Sequence, residues 1–221
     1  MNNIQLLNQY IKNSLHYGHK IKDWNPKMAP YILCEKNGHH IINLFKTSKL
    51  LLLAGNILKQ SVQNKKTILF VGTNKIFSNI IKFQAEKAKV FFINHKWAGG
   101  TLTNWEIIKK SIKKLNTLEN LQINNNLSKK EINKNNKIIN KLKYLFDGIR
   151  LMTNLPDIVI FIDQKKDLSA IKECIKLGIT TICIVDTNCD PSIVSYPIPA
   201  NDDSITSVNY ILNYLSEQIS K

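Results

Sequence analysis

Arginine is almost missing from this chain of 221 residues. Of its 31 basic residues, 30 are lysine and only Arg150 is arginine. Asparagine (27) and isoleucine (33) are correspondingly abundant. Lys, Asn and Ile have AT-rich codons, so the bias points to a small AT-rich genome, such as that of an organelle or endosymbiont. It also suggests that Lys has replaced Arg wherever a bare positive charge suffices. Acidic residues are few, 16 in all, and the formal charge of +15 implies a polyanionic partner or an anionic surface. Long apolar runs are absent. Leu50 to Ala54 and Ile158 to Ile162 reach about five residues, where a membrane span needs roughly twenty. Met1 to Gln9 carries no basic n-region of a secretory signal. Cysteine is sparse: Cys34, Cys174, Cys183 and Cys189 form no C-x-x-C pair. They read as buried thiols of a reducing compartment rather than a disulfide framework. What is present is 43% hydrophobic residues, enough for one packed domain plus an appendage.

Periodicity organises the chain. Ile4, Leu7 and Ile11 predict a helix over 3–15, with a capping box at Asn2 and Gln5. Two prolines and a glycine make the following polar, aromatic and basic stretch an ordered loop. Tyr31–Cys34 and His39–Asn43 flank Asn37 and Gly38, a hairpin signal. A helix over 46–63 would bury Leu50, Leu53, Ile57 and Leu58. Strands at 67–71, 90–93, 158–162 and 181–185 then alternate with helices at 75–88, 166–177 (closed by Gly178) and about 202–219. Apolar strands without alternation, separated by helices, predict a doubly wound parallel sheet of four or five strands, in order 2-1-3-4-5.

Residues 103–146 hold no strand. Thr103 with Glu106 and Ser128 with Glu131 read as capping boxes, so helices start near 104 and 129. Trp105, Ile108, Ile112 and Leu115 step by three or four, as do Ile132, Ile139, Leu142 and Phe146, with Asn135 in the seam and 122–127 as the turn. The prediction is an antiparallel helical hairpin with coiled-coil spacing, 104–146, projecting from a platform formed by 1–103 and 147–221. Between 106 and 143 it carries ten Lys against three Glu. A one-sided excess of that size points to phosphates or acidic protein.

Four constellations bear on chemistry. His16 and His19 form H-x-x-H beside His39 and His40, with no Cys or acidic ligand at matching spacing, so packing or stacking is favoured over zinc. Gly72 to Lys75 holds the phosphate-loop position but lacks both glycine fingerprints, and a tight turn needing Gly fits better. Asp163, Asp186 and Asp190 stand at the carboxyl ends of strands, where paired carboxylates could hold Mg²⁺; the competing reading is an Asx-turn into Pro191. The stretch from Asn94 to Asn104 mixes aromatic, basic, glycine and hydroxyl residues, as single-stranded RNA sites do. Trp105 reads as a core anchor there, while Lys96 and Trp97 suit either role.

Five segments carry a resemblance: HYGHKIKDWNPKMAPYI (16–32), KWAGGTLTNW (96–105), LPDIVIFIDQ (155–164), TTICIVDTNCDP (180–191) and PIPANDD (197–203). In order and spacing they resemble the family of the second protein of the small ribosomal subunit, bacterial and plastid type, with plastid-like wording in MAPYI, LPDIVI and IPANDD. Ala98, Asp23, Met152 to Leu155, Thr180 and His39 depart from the usual pattern. The resemblance implies a flavodoxin-like α/β domain with a helical hairpin and a structural, non-enzymatic role, without cofactor, metal, catalytic residue, small-molecule substrate or membrane. It implies ribosomal RNA and other small-subunit proteins as partners. In bacteria such proteins help dock the first small-subunit protein. The compositional bias, and a Met1 leading straight into the first helix, suit a plastid ribosome (apicoplast or chloroplast); the alternatives are an AT-rich bacterial cytoplasm or a mitochondrion.

The expected RNA-binding residues are Lys20, Lys22, Trp24, Lys27, Lys96 and Trp97 in loops, and Lys109, Lys110, Lys113 and Lys114 on the hairpin. The rival function is a metal-dependent phosphohydrolase using Asp163, Asp186 and Asp190.

Overall fold

The computed structural model describes residues 3–123 and 129–220. In chain order the elements are α1 (Asn3–Lys12), β1 (Tyr17–Lys20), β2 (Ile32–Lys36), β3 (His39–Ile42), α2 (Leu44–Gln63), β4 (Ile68–Val71), α3 (Ser78–Ala88), β5 (Phe91–Ile93), α4 (Trp105–Ile123), α5 (Lys129–Phe146), β6 (Ile158–Phe161), α6 (Leu168–Leu177), β7 (Thr180–Val185), β8 (Tyr196–Pro199) and α7 (Ile205–Ser220).

Five parallel strands lie in the order β5-β4-β6-β7-β8. Counted within the sheet, that is 2-1-3-4-5, the order expected of the doubly wound arrangement. Every residue of β4 and β6 is buried, because helices cover both faces. Alternate side chains divide between two cores. Ile68, Phe70, Ile158, Ile160, Ile182, Ile184 and Ile198 meet α2, α3 and α7 on one face. Leu69, Val71, Val159, Phe161, Cys183 and Val185 meet α6, Met28, Trp97 and the root of the hairpin on the other.

Several expectations shift. Strand β8 went unread because Tyr196–Pro199 contains two prolines, which demote a strand except at a sheet edge, and β8 is the edge. Asn37 (φ 52°) and Gly38 (φ 78°) make the expected hairpin turn between β2 and β3, but β1, read as loop, joins them to complete a three-stranded antiparallel sheet. Helix α2 begins two residues early, where the Asn43 side chain accepts from the Phe45 and Lys46 amides. Its buried apolar face is Leu51, Ala54 and Leu58: Leu58 is as expected and Ile57 packs partly buried beside it, but Leu51 replaces Leu50, and Leu53 is exposed. In α1, Ile4 and Ile11 face outward while Tyr10 enters the core. Gly178 closes α6 with φ 67°. Gly72 is needed for close packing rather than for turn conformation: a Cβ there would lie 2.6 Å from Ile81 Cδ1. Of the four free thiols Cys34 is exposed, contrary to expectation, and the other three are buried.

The hairpin forms as α4 and α5. The boxes at Asn2 and Ser128, and the turn at 124–127, lie outside the described residues. Thr103 does not cap α4, since its amide and hydroxyl turn to Glu173. The seam is shared more than its spacing implied. Trp105, Ile108, Ile112 and Phe146 belong to the sheet's second core, with Leu142 packed against it. Leu115 and Ile139 are buried further out, and Ile132 is 37% exposed. So the apolar grip on the domain fades along the hairpin.

Candidate nucleic-acid interface

The N-terminal arm crosses the carboxyl ends of the parallel strands. Gly18 lies against the loop after β7, where a Cβ would come 2.5 Å from Thr187 Cγ2. Thr187 holds the arm twice: its hydroxyl accepts from the His19 amide at 2.9 Å, and its carbonyl from the Asn25 amide at 2.8 Å. This fixes Lys20, Lys22, Trp24 and Lys27 as one exposed group. Lys27 is part of the scaffold as well, reaching Asp190 at 2.6 Å and Ser192 at 3.0 Å. Trp24 leans on the buried His40 ring at 5.1 Å and keeps 37% of its surface exposed.

Trp97 is corrected. It is 7% exposed, packed in the second core, and its indole donates to Glu173 Oε1 at 2.8 Å. Such a ring has no face left for a base. The same carboxylate accepts from the Gly100, Leu102 and Thr103 amides and the Thr103 hydroxyl, at 2.8–3.2 Å. Burial raises the Glu173 pKa, but hydrogen bonds from Trp97 and the three amides outweigh it and hold the group below its usual range. Gly100 therefore brings its amide to a protein carboxylate rather than to a phosphate. Lys96, on the same loop, is exposed. Trp105 is a core anchor, its indole donating to the Thr153 carbonyl at 3.4 Å.

On α4, Lys110, Lys113 and Lys114 are exposed and form no ion pair among the described residues. They occupy one helical face, away from Ile108, Ile112 and Leu115. Lys109 is more constrained, paired with Glu106 at 2.9 Å and 5.9 Å from the Trp105 ring centre.

The three carboxylates of the rival reading do not share a centre. Asp163 accepts from the Lys166 amide at 2.9 Å, and Asp190 caps the turn at Ser192 and binds Lys27. Asp186 is buried and meets His19 Nδ1 at 3.2 Å. The fold instead brings His19 together with Asp186 and Asp202, their donor atoms within 4.8 Å of one another. Three ligand groups are one short of a closed zinc site. Spacing within the H-x-x-H could not reveal it, because the acidic partners follow β7 and β8, far along the chain; His16 instead lies against Tyr17, ring centres 4.1 Å apart and planes tilted by 37°. Burial and the nearby Asp186 charge push Asp202 up to about 8. The hydrogen bond to Asp186 raises the His19 pKa.

The described residues thus define an α/β platform bearing basic, exposed projections. The family profile described as Ribosomal protein S2 matches residues 10–221. The small ribosomal subunit protein uS2c of Phaeodactylum tricornutum is 45% identical over 216 residues, 96% of both chains. That of Galdieria sulphuraria is 46% identical, covering 97% of this chain and 92% of its own. Small ribosomal subunit protein uS2 of Picosynechococcus sp. is 43% identical, covering 96% and 84%. The chain belongs to the ribosomal protein S2 family, structural constituents of the small ribosomal subunit rather than enzymes.

Proposed function

We propose that ribosomal RNA holds this chain in the small subunit of a plastid ribosome through lysine–phosphate contacts from two regions. One is the arm and neighbouring loop, with Lys20, Lys22, Trp24, Lys27 and Lys96. The other is α4, with Lys109, Lys110, Lys113 and Lys114. The platform (1–103 and 147–221) supplies rigidity and the hairpin (104–146) supplies reach, with neighbouring small-subunit proteins completing the setting. The plastid assignment rests on relatives of the plastid form uS2c and on the Lys, Asn and Ile bias. The observation that carries the RNA reading is the unpaired, exposed face of Lys110, Lys113 and Lys114 on a hairpin with ten Lys and three Glu.

The test is a salt titration of binding to small-subunit RNA, beside gradient fractionation. Each phosphate contact should contribute roughly 0.7–0.9 to the slope of log K against log salt. Replacing Lys110, Lys113 and Lys114 together by Ala should lower that slope by about 2 and leave unfolding unchanged. A chain that stays at the top of the gradient, or binds RNA independently of salt, overturns the reading.

A further inference from the structure

We propose that the cleft between α3, the loop after β5 and the end of α5 seats one unpaired nucleotide of the bound RNA. The base stacks on a histidine–tyrosine ring pair, and Lys82 and Lys143 meet its phosphate. This inference rests on the RNA-binding reading above and deepens it.

The platform of the cleft is already assembled. His95 and Tyr144 lie nearly parallel, 8° between planes and 4.5 Å between ring centres. His95 is oriented by the Ser78 hydroxyl at 3.1 Å, and that hydroxyl also accepts from the Asn94 amide group at 3.0 Å. Tyr144 is 44% exposed. A stacked pair of which one ring is held from behind and the other faces water presents a fixed π-surface. Sequence-tolerant base stacking needs such a surface, and it needs cations at its rim. Lys82 and Lys143 line the same cleft, each about half exposed. Both reach a glutamate on their other side, Lys82 at 3.9 Å from Glu86 and Lys143 at 2.8 Å from Glu119, which holds their stems near the opening. Asn140, one turn before Tyr144, adds an amide that can donate to or accept from a base edge. Asp147 is the one carboxylate of the lining, and with Glu86 and Glu119 already paired to the two lysines, a phosphate would engage the ammonium protons those glutamates leave free.

Size and polarity narrow the ligand. The cavity is about 280 Å³, just under the roughly 300–1,000 Å³ of small-molecule pockets. That size suits a single unpaired nucleotide rather than a duplex. Its position also explains why sequence reasoning chose the wrong ring. In the stretch from Asn94 to Asn104, Trp97 turns into the core while His95, two residues earlier, faces the cleft. Tyr144 arrives from the far arm of the hairpin, so no local motif joins the two.

The experiment uses the full chain and small subunits reconstituted with RNA in which uridine is replaced by photoreactive 4-thiouridine. Irradiation should crosslink RNA to Tyr144 or His95, located by mass spectrometry of the digested protein. Binding is measured in parallel with an eight-nucleotide single-stranded oligouridylate and a blunt RNA duplex. Tyr144→Ala should weaken oligouridylate binding roughly 5- to 150-fold, the range for loss of one stacked base. Tyr144→Phe should keep it, and duplex binding should change little in either variant. Lys82→Ala with Lys143→Ala should lower the salt slope for the oligonucleotide by roughly 1–2. Circular dichroism is expected to match the wild type, because Tyr144 is exposed. The inference is overturned if Tyr144→Ala binds as the wild type does, or if irradiation of the assembled subunit crosslinks RNA to this chain at neither Tyr144 nor His95. In either case the wild-type chain still enters subunits and binds RNA with the expected salt slope. Failure of wild-type binding itself would mark the loss of the broader reading.

Discussion

The sheet and the hairpin bury their apolar residues on different plans. Strands β4 and β6 are buried at every position, alternate side chains feeding two cores, so each residue is fixed by neighbours distant in sequence. On the hairpin one residue in three or four is buried, and only those near the root, from Trp105 to Ile112 and again at Phe146, share the sheet's core. Beyond Leu115 and Ile139 the helices rely mainly on each other, with Ile132 already 37% exposed. The platform therefore sets position, and a change there is felt as stability. The outer hairpin and the arm can vary in charge at little cost to folding, and a change there is felt as RNA affinity.

The largest break in that contrast is expected at Glu173, where one carboxylate holds the indole of Trp97, three amides and a hydroxyl. Glu173→Ala leaves those donors without their acceptor and should cost on the order of 4 kcal/mol. It should also release the loop from Trp97 to Thr103, visible as a red-shifted tryptophan emission. Stability within about 1 kcal/mol of wild type would show that the loop holds itself.

The hairpin offers an internal test of the same contrast. Ile112→Ala, in the shared core, should cost about 3 kcal/mol. Replacing residues 120–135 by a short Gly/Ser turn should change the unfolding free energy of the rest by less than about 1 kcal/mol, read by urea denaturation. Excision of 106–143 is a different matter. It removes Ile108 and Ile112 from the second core and is expected to destabilise the platform. Equal effects of the root and tip changes would mean that the hairpin folds as one unit with the sheet.

How much of this was legible follows from the range of each signal. The strand order could be reached because apolar runs and helical periods are local patterns, and the right-handed crossover rule restricts their assembly. β1 and β8 escaped because one contains Gly18 and His19 and the other two prolines; what makes them strands is a paired neighbour. The same holds for the site. Exposure of Lys110, Lys113 and Lys114 follows from helical phase, which the sequence carries. The role of Trp97 depends on Glu173, 76 residues away, and the meeting of His19 with Asp186 and Asp202 on loops after β7 and β8. In the α2 stripe Leu58 was legible but Leu51 was not, because Leu50 to Leu53 are all leucine, and phase within such a run has no polar marker.

A third, smaller effect separates pH from packing within the platform. Asp167 is buried; its Oδ1 accepts from the Thr73 amide and hydroxyl, while Oδ2 has no hydrogen-bond partner among the described residues. Burial, with the Asp163 charge adding and the Thr73 hydrogen bonds opposing, raises its pKa to about 6. The unfolded value is about 3.9. The folded state thus holds the proton more tightly. The associated stability is complete below about pH 4 and is lost as pH rises through about 6, a change on the order of 3 kcal/mol. Asp167→Asn keeps an acceptor for Thr73 and cannot ionise. It should be more stable than wild type at pH 8, by up to about 3 kcal/mol, and equal to it near pH 4. The difference between the two denaturation profiles isolates Asp167 from His19 and Asp202, whose raised pKa values tilt both profiles the same way. A difference that does not vary with pH would assign the effect to packing.

The smallest effect tests why one arginine survives among 30 lysines. Arg150 follows the hairpin's return to the platform and reaches back to α4. Its Nε donates to Asn116 Oδ1 at 2.6 Å, and its guanidinium pairs with Glu119. Glu119 also binds Lys143 of α5 at 2.8 Å, so three segments meet at one carboxylate, whose pKa Lys143 and Arg150 lower against the effect of burial. Two acceptors at fixed separation on one helix suit a planar fork, where an ammonium on a flexible stem serves one of them. Arg150→Lys should therefore keep the pair with Glu119 or the bond to Asn116, but not both, at a cost of about 1 kcal/mol. Faster hydrogen exchange should be confined to α4 near residues 116–119, leaving β4 and β6 protected. Arg150→Ala should cost more, because it gives up both. If Arg150→Lys exchanges and unfolds as wild type does, geometry did not keep this arginine, and the root of the hairpin is held by its apolar contacts alone.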